Sequence, residues 1–108
     1  MKPDAKLSAG LAAVRHRFLI ELVDRLDRLD RLGDDLDRPG AVTEAQQIFH
    51  RIAGTAAMVG YPELGTLARE LDDGLTGIAA GPLPRRLSRL YEDCLDLCLS
   101  VLEQDLLT

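Results

Sequence analysis

Few residues in this chain can carry chemistry near neutral pH: His16 and His50, Cys94 and Cys98, and a supply of carboxylates and arginines around them. His50 is the one with arranged surroundings. Placed on a helix at about 100° per residue, Ala45, Ile48, Phe49, Ile52, Ala56 and Val59 gather on one apolar face. His50 points away from that face, among Thr43, Gln46, Gln47, Ala53, Gly54 and Ala57, which are small or polar. Glycine inside a helix costs roughly 0.5–1 kcal/mol relative to alanine. Gly54, one turn after His50, therefore suggests that open space beside the imidazole is wanted. An imidazole displayed in this way suits nucleophilic work, one ring nitrogen reacting while the other is held.

A holding group must come from elsewhere. His50 lies ten residues before Gly60, about 15 Å along a helix rising 1.5 Å per residue. If the chain turns back at Gly60, residues 69–72 return to the level of His50. Arg69 and Asp72 sit there on one flank of the apolar stripe, in line with Gly65. Periodicity does not set which way the two helices face, so the contact is conditional. Were the flank to face His50, a carboxylate accepting from Nδ1–H would fix the tautomer and leave Nε2 free. A guanidinium nearby would help to hold an anionic group such as a phosphoryl.

The other candidates read more plainly. His16, between Arg15 and Arg17, lies off its helix's apolar stripe and reads as a surface residue, with the two arginines available to an acidic partner surface. Cys94 and Cys98 are one helical turn apart in an apolar pattern, small core residues rather than metal ligands. No Gly-rich phosphate loop of the GxxxxGK[ST] or GxGxxG kind occurs, and no nucleotide site is expected. No Glu-x-x-His pair of a metal-binding bundle occurs either.

Length and composition bound the rest. The 108 residues are one domain's worth, 46% hydrophobic and only 4% aromatic, so the core must be aliphatic. The net charge of −5 argues against nucleic acid, which needs a basic footprint. No apolar run approaches the roughly 20 residues of a membrane span, and the opening MKPDAKLSAG lacks the apolar segment of a signal peptide. A cytoplasmic location is the expectation.

Four elements must position His50. A first helix is predicted from Ser8, as N-cap, to Leu32, with Gly33 as its stop and Leu11, Val14, Phe18, Leu22, Leu26 and Leu29 as its inner stripe. Within it, Asp24–Arg28 and Asp27–Arg31 fall at i,i+4. The loop 33–42 carries two Gly, one Pro and three Asp. Thr43-Glu44-Ala45-Gln46 fits a capping box that opens a second helix, about 44–59, ended by Gly60. Pro62 starts a third, about 62–78, that buries Leu64, Leu67, Ala68, Leu71 and Leu75; Gly74 and Gly77 weaken its last turns. The fourth, about 84–106, buries Leu87, Leu90, Tyr91, Cys94, Leu97, Cys98 and Val101. Short connections between amphipathic helices give an all-α fold, an antiparallel, up-down-up-down four-helix bundle, self-sufficient as a monomer.

His50-Arg51-Ile52-Ala53-Gly54, then Gly60, then Leu64, Leu67 and Leu71, resembles the signature of histidine-containing phosphotransfer (HPt) domains. In that family His-x-hydrophobic-Lys-Gly is followed by a second Gly ten residues after the His and by leucines on the next helix. The resemblance implies a phosphorelay carrier that is not itself an enzyme. His50 would accept a phosphoryl group on Nε2, and exchange it with an aspartate of a response-regulator receiver domain or take it from a sensor histidine kinase. It implies no cofactor on this chain, the Mg²⁺ being the receiver's. Gly54 would be the clearance for the receiver, and Asp72 falls where some relatives carry a residue that orients the imidazole. Arg51, Arg69, Asp72, Gln47 and Gly54 are then the supporting residues, and Gln46, Ala53, Ala57 and Gly60 the docking face. One departure stands out: the family's Lys is Ala53 here, so either Arg51 or Arg69 replaces its charge, or phospho-His50 is less well stabilised, or the module is a weak or degenerate carrier. The competing reading is a docking bundle that binds a receiver or kinase without being phosphorylated.

Overall fold

The computed structural model describes residues 5–107 and holds four helices: α1 (Ala5–Gly33), α2 (Ala41–Ala56), α3 (Pro62–Leu75) and α4 (Arg85–Asp105). The first four residues of the MKPDAKLSAG opening, and Thr108, lie outside the described residues. Each helix packs on its chain neighbours, and α4 closes the ring against α1. Cross-helix pairs give the directions. Arg28 near the end of α1 meets Glu44 at the start of α2, while Arg15 reaches Val59 beyond the other end of α2. Late α3 meets early α4 at Gly74 and Leu87, and Tyr91 near the start of α4 reaches Leu29 near the end of α1. These are the pairings of an up-down-up-down path, and the four-helix bundle expected from the sequence is the fold.

The core is aliphatic with two aromatic rings at its heart. Phe49 is fully buried and meets Tyr91 edge-to-face at 5.2 Å between ring centroids. Leu22, Leu29, Ile52, Leu64, Leu71, Cys94 and Cys98 surround them, all without exposure. Both cysteines are free thiols; the contact with Cys98, together with burial, pushes the Cys94 thiol up and keeps it protonated. Gly74 sits where a Cβ would meet the end of the Leu87 side chain, at the contact of α3 with α4. Its cost in helix propensity is offset by packing.

Several local expectations change. Ser8 lies inside α1, which already runs from Ala5, so it is not the N-cap. Leu11 and Val14 are 41% and 43% exposed instead of buried. α1, at 29 residues against 16 in α2, is nearly twice as long, and its first turns outrun the helices that could cover them. The capping box does not form. α2 begins at Ala41 behind Gly40, whose φ of 85° makes the entry turn, so Thr43 is already helical. Gln46, its supposed partner, is engaged with Asp72 instead. The exit matches the expectation better. Tyr61 N–H donates to Ala56 O at 2.8 Å and Gly60 N–H to Ala57 O at 3.3 Å, with Gly60 at φ 103°. That pair of bonds is a Schellman stop, and it needs the left-handed residue that glycine supplies. Pro62 then opens α3, which ends at Leu75, a turn earlier than predicted. Among the described residues no helix is long and apolar enough to cross a membrane.

Candidate functional site

α2 and α3 are drawn together by small residues. Gly65 is buried, and a Cβ there would lie 3.3 Å from the backbone nitrogen of Ala57. Ala53, Ala56 and Ala68 are buried as well. The close approach lets a short carboxylate span the gap: Asp72 Oδ2 lies 2.7 Å from His50 Nδ1. The flank carrying Asp72 thus does face His50, and the conditional contact is made. A carboxylate can only accept here, so Nδ1 carries the proton and Nε2 is left with its lone pair.

Asp72 is itself held. The Gln46 side-chain amide donates to Oδ1, so both carboxylate oxygens are engaged and the plane of the group is set. Its side chain is 15% exposed and that of His50 73%. Burial pushes the Asp72 carboxyl upward, but the hydrogen bonds from Gln46 and His50, with the electrostatic attraction of the N–H dipole, outweigh it and leave the group below its ordinary value. The result is an anion at neutral pH, fixed behind a solvent-facing ring.

The other side of His50 is cationic. A hollow of about 380 Å³ opens between α1 and α2 against the imidazole, and Arg17, Arg25 and Arg51 line it together with Glu21, Val14 and Gly54. Glu21 pairs with Arg25 at 3.5 Å, which leaves Arg17 and Arg51 without an ion pair among the described residues. Gly54 is exposed, and a Cβ on it would meet nothing of this chain within 4 Å.

The residues singled out in the sequence divide accordingly. His50, Asp72, Arg51 and Gly54 come together, and Gln46 joins them as the group that holds Asp72. Gln47 and Arg69 are exposed and make no hydrogen bond or ion pair among the described residues, and Arg69 does not line the hollow. Ala57 and Gly60 are exposed. Ala53 is the exception on the expected outer side: it is 9% exposed, on the line of Gln46 toward α3, and fills the helix seam. Arg15 is committed internally. Its Nε donates to Val59 O at 2.8 Å, and the guanidinium lies 5.9 Å from the centre of the Tyr61 ring, so it closes the α2–α3 turn. Arg17 and Arg25 are the additions. Their i,i+8 spacing, with Glu21 between, marks one face of α1 and was the signal available for them.

A family model, the Hpt domain, matches residues 13–105 of this chain. No curated protein and no solved structure matches it.

Proposed function

The chain belongs to the Hpt domain family, and on that premise we propose that it is a phosphorelay carrier with His50 as its phosphoacceptor. Hpt domains are histidine phosphotransfer modules, carriers rather than enzymes, that work with receiver domains and kinases. The observation that carries the reading to a residue is the Asp72–His50 hydrogen bond beneath an open Nε2.

That geometry supports the following step. The Nε2 lone pair attacks the phosphorus of a receiver's aspartyl phosphate. The N–P bond forms as the P–O bond to the aspartate breaks, and that bond's electron pair leaves with the carboxylate. The ring gains positive charge while keeping its Nδ1 proton, and Asp72 stabilises that charge. Arg17 and Arg51 offer guanidiniums to the phosphoryl oxygens, the charge that a Lys in place of Ala53 would supply. Mg²⁺ belongs to the receiver, and this chain supplies a positioned nucleophile. Gly54, with the exposed Ala57, leaves room for the receiver's surface, whereas Gly60 serves the turn that Arg15 packs on. The docking-only alternative keeps the same surface without the covalent step, and the orientation of Asp72 speaks against it, because docking gains nothing from a fixed tautomer.

The test mixes the chain with a phosphorylated receiver from the same cell and Mg²⁺, then follows intact mass and lability. The expected outcome is one added phosphate, acid-labile and alkali-stable, absent in His50→Gln, whose thermal stability stays within about 0.5 kcal/mol of wild type because the side chain is exposed. Binding without transfer to any such receiver would leave the docking reading.

A further inference from the structure

We propose that the α1–α4 face is a second docking surface, and that it takes a basic amphipathic helix of a partner protein. A hollow of about 480 Å³ opens between these helices, walled by Val23, Leu26, Leu95, Leu99, Leu102 and Leu107. Val23 is 44% exposed, Leu99 47% and Leu107 70%. Ile20, 51% exposed and one turn before Val23 on α1, extends the strip. Single apolar side chains at a surface are ordinary, but here several gather around one hollow.

Charge identifies the occupant. Asp27, Asp30 and Asp96 stand on the rim of this hollow. Asp27 pairs with Arg31 at 3.2 Å, whereas Asp30 and Asp96 make no ion pair among the described residues. A groove between two antiparallel helices fits a third helix with apolar anchors at i, i+3, i+4 and i+7. Carboxylates without partners at its edge select lysine and arginine flanks. A second copy of this chain would set the same acids against them and is disfavoured for that reason.

The face is distinct from the surroundings of His50. That hollow is lined by α1 only as far as Arg25, and by α2; this one takes α1 from Val23 to Asp30, and α4 with Leu107 just beyond its end. Both can be filled at once, so the chain can be held by one partner while His50 meets another. The proposal stands whether or not His50 is phosphorylated.

A synthetic peptide of about 18 residues, five helical turns, with leucines at that spacing and lysine and arginine elsewhere, is the probe. Its counterpart carries glutamate at the charged positions. Calorimetry gives affinity, and backbone amide shifts give location. The basic peptide should bind one-to-one, moving the amides of Val23, Leu95 and Leu99 but not those of Arg51 and Gly54. Leu99→Glu, at an exposed position, should weaken it about tenfold or more. Asp30→Asn with Asp96→Asn should weaken it severalfold and flatten its salt dependence. His50→Gln should leave it unchanged. Equal binding of the acidic peptide, no saturable binding by wild type, or shifts centred on His50 would overturn the proposal. So would self-association of wild type in sedimentation that Leu99→Glu abolishes, because the occupant would then be a second copy.

Discussion

His50 and Tyr91 are built by the same device and end in opposite states. Each is a polar ring on one helix held by a single hydrogen bond from a neighbouring helix: Asp72 of α3 holds His50, and the Leu29 carbonyl of α1 accepts from Tyr91 at 2.5 Å. The Tyr91 ring is 5% exposed and packs on Phe49, and burial pushes its hydroxyl well above the usual tyrosine range. Its one polar atom is consumed, so it is a strut. His50 has two ring nitrogens, and the bond to Asp72 takes one while the other faces solvent. Whether such a contact closes a ring off or leaves it able to react depends on what is left over after it forms.

Substitution should separate the two. Tyr91→Ala has the largest expected effect on stability, about 3–5 kcal/mol in urea unfolding, from the lost ring and the cavity behind Phe49. The fraction still folded should accept phosphate as wild type does. Tyr91→Phe keeps the ring and drops the bond to Leu29, and should cost about 1–3 kcal/mol. A slowed phosphotransfer in either variant, measured per folded molecule, would break the comparison.

Asp72→Asn tests the other member. It removes the fixed anion beneath the imidazole and should slow phosphotransfer about tenfold to a hundredfold, the scale on which groups that orient a functional imidazole act. Gln46→Ala should move the rate the same way by less, because it frees the Asp72 plane without removing the charge. Gly74→Ala should cost about 1 kcal/mol and leave phosphotransfer unaltered, since Leu87 must move aside.

The smallest effect is one of pH. The carboxyl of Asp72 lies below its ordinary 3.8 in the folded chain. A depressed carboxyl stabilises the fold fully above its unfolded value, and loses that contribution as pH falls through the folded one. The stability difference between wild type and Asp72→Asn should therefore be level near neutrality and shrink below 3.8.

Much of this was written locally. The apolar periodicity of α2 placed Phe49 and Ile52 inward and His50 outward, and Gly60 with Pro62 marked the turn that α2 and α3 share. Such features depend on residues a few positions apart, which is the range over which a repeat or a turn preference acts. Expectations changed where one local pattern met a competitor, near or distant. Thr43 and Gln46 form a sound capping box on their own, but Gly40 opened the helix earlier and Asp72 claimed the amide. Leu11 and Val14 continue the stripe of α1 past the closed core, and Val14 lines the open hollow beside His50 instead.

The amino-acid sequence by itself determined that there are four amphipathic helices, where they turn, and that a histidine with a glycine one turn later looks outward. Only the tertiary structure decided what that histidine meets. Asp72 comes to its Nδ1 because the small residues at the α2–α3 seam set the distance and facing of two helices, which no periodicity encodes. Arg17 and Arg25 come to its other side because α1 closes the ring with that face turned toward α2, while Ala53 is drawn into the seam. The physical reason is one of range: hydrogen bonding along a helix is settled within a few residues, whereas the rotation of one helix against another is settled only when all four pack.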